Sequence, residues 1–160
     1  MSDDAEAGLK LDGYLPYRLS VASNAVSGLI ARAYQDRFGL TIPQWRLICV
    51  LAEDGGLTQN QIVARTVMDK VTVSRAAQGL LKRRLVDRSD HHADGRSHVL
   101  ALTHEGARLH SEIAPLALAY EAALIAGLAP EEVNLLKRLL SRLQTAAGAL
   151  AGEPLPPSLR

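Results

Sequence analysis

The segment LTQNQIVARTVMDKVTVSRAAQGLLKRRLV, residues 57–86, limits the fold more than any other feature of the chain. It sets two helices almost end to end. Thr58 and Gln61 have the T-x-x-Q spacing of a capping box, which satisfies two orphan amides at a helix start. Ile62 and Val63 face inward from that short first helix. Asp69 then caps a second helix, on which Val73, Ala76, Ala77 and Leu80 share one face. Thr72, Arg75, Gln78 and Lys82 share another, since residues three and four apart are neighbours on a helix. From Leu85 the periodicity changes. Leu85–Arg88 and Ser97–Leu102 read as two strands joined by a polar loop with Gly95, a two-stranded hairpin. Short helix, tight turn, helix with a polar outer face, hairpin: this is the order of a winged helix-turn-helix.

The flanks are helical. From Leu15 to Phe38 the apolar positions step by three or four, and Gly39 stops the helix. Thr41 caps the next, with Pro43 in its first turn and Trp45, Ile48, Cys49 and Leu51 on its buried stripe. Thr103 caps a long helix after the hairpin, and Pro115 is expected to kink it. Pro130, Glu131 and Glu132 open a last helix with a Leu-rich stripe from Val133 to Leu150. Apolar residues are 48% and aromatic residues 4% of the 160, so the core is built of Leu, Val, Ile and Ala, which suits helices. The expected fold class is mainly α with a small β-hairpin.

Charge is uneven along the chain. Residues 58–104 hold eight Lys and Arg against four Asp; the remainder holds ten against thirteen acidic residues. A basic middle between acidic flanks points to a polyanion partner. The B-DNA major groove admits one α-helix, whose front residues reach base edges. Thr72, Ser74, Arg75 and Gln78 have suitable donors and acceptors, while Lys70 and Lys82, with Arg83, suit phosphates. Arg84 is the basic residue expected to pair inside its own domain. Arg96 at the hairpin tip suits a narrow minor groove.

The stretch from Leu57 to Gly106, with its TVSR helix, its L-x-x-R-x-L-V step and its closing LT-x-E-G, resembles the signature segment of MarR-type transcriptional regulators. The resemblance runs from Tyr17 to about Leu150. It implies a homodimer, with residues 14–40 and 104–150 as the helical dimerisation region and 41–103 as the DNA-binding domain. Residues 1–13 are expected to be a disordered tail and 151–160 a flexible one. It further implies a pseudo-palindromic operator, repression, and release of double-stranded DNA by a small-molecule effector. Asp94 matches the wing aspartate that fixes the minor-groove arginine, Arg96. The wing departs from the family pattern: Asp90-His91-His92-Ala93-Asp94-Gly95-Arg96 is one residue longer, and Gly95 replaces the first arginine, which leaves the tip contacts open.

The family's ligand pocket lies where the dimerisation helices meet the DNA-binding domain. That places Tyr14, Tyr17, Arg18, Asn24 and Trp45 near it. The first helix, LPYRLSVASNAVS, with FGLTIPQWR, resembles a subgroup that controls aromatic-acid breakdown. The effector class so implied is an aromatic carboxylic acid or its CoA thioester. A regulator of efflux or stress genes answering phenolic compounds is the alternative. A helical protein-interaction module is the reading without DNA.

No cofactor, metal or enzymatic activity is expected. G-x-S-x-G, H-E-x-x-H and phosphate-loop motifs are absent from the sequence. Adjacent His91 and His92 on a hairpin point to opposite faces, which disfavours a metal site with His98, Asp90 and Asp94. Cys49 lies on an apolar stripe and reads as packing. The acidic start MSDDAEAGLK has no apolar signal region, and no apolar run approaches the ~18 residues of a membrane span. A cytoplasmic protein is expected.

Overall fold

The computed structural model describes residues 8–90 and 98–151, and within them six α-helices and three short strands. The order is α1 (Leu15–Phe38), α2 (Ile42–Asp54), β1 (Leu57–Thr58), α3 (Gln59–Thr66), α4 (Lys70–Lys82), β2 (Val86–Asp90), β3 (His98–Leu102), α5 (His104–Ile125) and α6 (Pro130–Ala151). Residues expected to be disordered at the N-terminus include a 3-10 turn, Leu11–Gly13. Backbone bonds from Gly13 to Lys10 and from Tyr14 to Leu11 close it, and the Arg18 guanidinium donates to the Asp12 carbonyl at 3.3 Å.

Helix boundaries follow local chemistry. Gly39 ends α1 with φ 61°, and its amide bonds back to the last turn. Thr41 and Gln44 form a capping box on α2, as Thr58 and Gln61 do on α3. Thr103 caps α5, its Oγ1 accepting from the Gly106 amide at 3.0 Å. Pro115 lies inside α5, which runs on past it to Ile125.

The expected hairpin is two strands of a three-stranded antiparallel sheet, with β3 central. Val86 pairs with Leu102 and Arg88 with Leu100, while Leu57 of β1 pairs with Leu100 from the other side. β1 fastens the sheet to the start of α3 and so fixes the wing against the two helices.

The chain divides into two compact units, Met1–Ala117 and Leu118–Arg160, with the division inside α5 rather than at its start. The first unit holds the core: Tyr34, Leu40, Leu47, Ile48, Ile62, Val73, Leu80, Leu100 and Ile113 are among its buried members. The second comprises the end of α5 and α6, with Lys137 paired to Glu121 at 3.5 Å. No residue of α6 is buried. Among the described residues, no single helix is long and apolar enough to cross a membrane.

A tight joint sets where the wing leaves the helices. Arg84 takes a left-handed backbone, φ 56°, between α4 and β2. The Thr103 hydroxyl donates to the Arg84 carbonyl at 2.9 Å, and the Thr103 amide to Leu85 at 3.1 Å. Gly106 permits this approach, because a Cβ there would run into the Leu85 carbonyl oxygen.

Candidate nucleic-acid interface

α4 faces two ways. Val73, Ala76, Ala77 and Leu80 are buried in the core. Lys70, Arg75, Gln78 and Lys82 are exposed, and Ser74 is half-buried. Thr72 is also half-buried and is engaged at the helix start. Its amide donates to Asp69 Oδ1 at 2.8 Å and its hydroxyl to Asp69 Oδ2 at 2.6 Å. The hydroxyl bond, followed by the amide bonds, holds the Asp69 carboxyl below its ordinary pKa. With its proton committed, the Thr72 hydroxyl has acceptor capacity left for an outside partner.

The turn between α3 and α4 carries Val67, left-handed at φ 55°, and then Met68, which is buried. This sets α4 against α3 without a linker. Behind α3, Arg65 bonds Asp54 at 2.6 Å and Glu53 at 3.0 Å. The Arg65 hydrogen bond lowers the Asp54 pKa, and the same bond raises that of Arg65. Arg65 is thus neutralised locally and adds little to the basic face.

The two arginines after Lys82 both depart from their expected placement. Arg83, expected to meet phosphate, donates from Nη1 to the Gly39 carbonyl at 2.9 Å and from Nη2 to the Phe38 carbonyl at 3.0 Å. Those carbonyls end α1, where a cation complements the helix dipole. Arg84, expected to pair inside the domain, has an exposed side chain on its left-handed turn, where its amide donates to the Leu81 carbonyl at 3.0 Å and its own carbonyl accepts from Thr103.

A cleft of about 330 Å³, which no local sequence pattern signals, lies beside α4. Gln78 lines it together with Gln59, Asn60, Arg88 and His98. Arg88 and Leu100 form a cross-strand pair, so strand alternation gave a signal for Arg88, whereas Gln59 and Asn60 arrive only through tertiary packing. Asp94 and Arg96, with His91 and His92, lie outside the described residues, between the paired residues Asp90 and His98.

The five residues expected near a ligand are not gathered within one chain. Tyr14 is the residue before α1, Tyr17 and Arg18 are in its first turn, and Asn24 is exposed farther along it. Trp45 of α2 packs on Tyr34, ring centroids 5.3 Å apart, and stacks on His110 of α5 at 5.6 Å and 19°. Tyr34 is about 24 Å along α1 from Arg18, at 1.5 Å rise per residue. His110 was not anticipated, because nothing local to it signals a ring 65 positions away. Cys49 is half-buried, and burial, then the nearby Glu53, pushes its thiol up to about 12.

Comparison with known proteins agrees with this arrangement. Residues 38–97 match the profile described as MarR family. The Escherichia coli O111:H- transcriptional regulator HosA is 26% identical over 107 residues, covering 67% of this chain and 79% of HosA. A probable transcriptional regulator from Pseudomonas aeruginosa is 30% identical, with TM-score 0.77, over 84% of this chain and 99% of that one. Bordetella bronchiseptica BpsR, whose DNA binding is regulated by 6-hydroxynicotinic acid, is 25% identical with TM-score 0.81, over 86% and 98%. With the capped α3–α4 pair and the sheet behind it, these likenesses place the chain in the MarR family of transcriptional regulators.

Proposed function

We propose that the chain is a cytoplasmic repressor that binds a pseudo-palindromic operator as a homodimer, with α4 in the major groove. The observation that carries this is the division of α4 into a buried apolar face and an exposed face bearing Lys70, Arg75, Gln78 and Lys82. Arg75 and Gln78 read base edges; Ser74 accepts or donates and Thr72 accepts at the flanks; Lys70 and Lys82 neutralise phosphates. Arg96, fixed by Asp94, enters the minor groove. The residues 41–103 form the DNA-binding domain, and 14–40 with 104–150 the dimerisation region. Support for the dimer comes from α6, whose Leu135, Leu136, Leu139, Leu140 and Leu143 are all exposed in the single chain. An apolar row of that length on a soluble helix needs a partner surface.

The test is duplex binding across a salt series. Each neutralised phosphate contributes a slope of roughly −0.9 in log K against log salt. A flat salt response, or no duplex binding, overturns the reading.

The effector is an aromatic carboxylic acid or its CoA thioester. Arg18 offers a guanidinium for a bidentate carboxylate or phosphate contact. Tyr14 and Tyr17, about 40% exposed, offer ring faces beside it. BpsR, a relative, responds to a heteroaromatic acid. Thermal shift and operator release with a panel of such acids and thioesters test the class. Stabilisation by neither, or release by neutral phenols alone, overturns it.

A further inference from the structure

Two residues near the start of α4 expose apolar side chains that the core of the domain does not use. Among the described residues from Leu40 to Ala117, the exposed large apolar side chains are Val67, at 75%, and Val71, at 57%. Both stand at the turn-side end of α4.

Val67 ends α3 in left-handed backbone, φ 55° and ψ 26°. Glycine or asparagine is the ordinary choice there, because a Cβ crowds the backbone. A β-branched side chain is among the least suited. Nor does packing compensate, since the side chain faces solvent. Val71 lies in the first turn of α4, also β-branched and also facing solvent, where Lys or Glu suits a helix better. Stability therefore explains neither residue.

Their surroundings do suggest a use. Val71 shares its helix face with Arg75 and Gln78, four and seven positions on. Lys70 adjoins it in sequence and is exposed. A surface that met only phosphates would be polar throughout. The major groove presents a single apolar group, the C5 methyl of thymine. Two small branched apolar side chains among cations and amides complement that group, the one apolar substituent among the major-groove base edges.

We propose that Val67 and Val71 are specificity residues that contact thymine methyl groups, so that each half-site carries thymine where the front of α4 enters the groove. This rests on the reading of α4 as the base-contacting helix.

The experiment uses the full chain. A preferred duplex is first selected from a randomised pool. Each thymine is then replaced singly by deoxyuridine, which removes the methyl and nothing else. Wild type should lose about fourfold in affinity per contacted methyl, the transfer value of one buried carbon. Val71→Ala, carried by both protomers, should lose that factor once per half-site, about sixteenfold on the thymine site, and show no further loss when its contacted thymine is replaced by deoxyuridine. Val67→Asn suits the left-handed backbone, so its melting temperature should hold or rise while its affinity falls. The proposal is overturned if both variants bind the thymine site as wild type does. It is equally overturned if Val71→Ala and wild type respond alike at every deoxyuridine position. A pool that yields no preferred sequence overturns the underlying reading of α4, and this proposal with it. A preferred site indifferent to the methyl removes this proposal alone.

Discussion

α4 and α6 are written in the same pattern, an apolar stripe at helical spacing with charges opposite, yet the fold treats them differently. α4 buries Val73, Ala76, Ala77 and Leu80 against its own chain. α6 buries nothing, and its leucines face outward. The contrast shows that an amphipathic pattern specifies burial but not what does the burying. In α4 the partners are supplied by α2 and α3; for α6, within its own unit, the partner is the end of α5 through Lys137 and Glu121, and a second copy is the proposed apolar partner.

The largest expected effect tests that contrast directly. Leu80 is fully buried, and Leu80→Ala should cost about 2–5 kcal/mol, lost transfer energy plus a cavity. Its melting temperature should fall by a similar amount at every protein concentration. Leu139→Ala should instead lower a melting temperature that depends on protein concentration, because it weakens association. Concentration-independent melting of wild type and Leu139→Ala alike would show that α6 is satisfied within one chain. Next in size is Arg75→Ala on the outer face of α4, expected to cost about 1–3 kcal/mol of specific DNA binding and to relax sequence choice. Arg96→Ala should weaken binding with little change in sequence choice. Competition assays with altered duplexes separate these outcomes, and equal binding by wild type and both variants would remove the assignment.

Arg83 and Lys82 sharpen the comparison within α4 itself. Arg83→Ala should cost about 1 kcal/mol of folding stability, the worth of its bonds to the α1 carbonyls. It should leave the salt slope of DNA binding unchanged. Lys82→Ala should do the reverse, lowering the slope by about one phosphate. A melt and a salt series on each variant decide it.

These distinctions also mark what sequence alone conveys. Elements fixed by bonds across three or four positions were legible: the Thr58–Gln61 box, the Asp69 cap, the Gly39 stop, the two faces of α4. What depends on distant partners was not. β1 is two residues long and has no periodicity of its own, so it emerges only when Leu57 meets Leu100. Arg83 and Arg84 are identical neighbours in sequence. Which one turns back to α1 depends on carbonyls 44 and 45 positions away and on the left-handed turn at Arg84. The proposed ligand residues illustrate the same limit, for Trp45 was grouped with Arg18 by resemblance, whereas its ring partners here are Tyr34 and His110.

Acid should act on the domain through one helix cap and two ion pairs. The carboxyls of Asp69, Asp54 and Glu105 are all held low, first by side-chain bonds to Thr72, Arg65 and Arg108 respectively. A folded pKa below the unfolded one means stability that is present above the ordinary carboxylate range and lost as pH falls beneath it. Melting temperature should therefore decline below the ordinary values of 3.8 for Asp and 4.5 for Glu, and Asp69→Asn should flatten part of that decline. An unaltered acid limb in the variant would show that the Asp69 cap contributes nothing measurable.

The smallest expected effect concerns Cys49, which reports on the buried side of the comparison without touching DNA. Burial raises its thiol from 9.0 to about 12, so the reactive thiolate at pH 8 is scarcer by about a thousandfold than in an open chain. Alkylation by iodoacetamide should be very slow in the folded protein and fast in denaturant. The sign of the shift fixes the alkaline behaviour too. The folded state keeps a proton that the unfolded state releases, so this contribution is complete below pH 9 and fades as pH rises toward about 12. Cys49→Ala should therefore leave operator affinity unchanged and make stability less sensitive to pH across that window. Rapid labelling of the native protein at pH 8 would mean that α2 opens locally, and that the core holding α4 is looser than its packing implies.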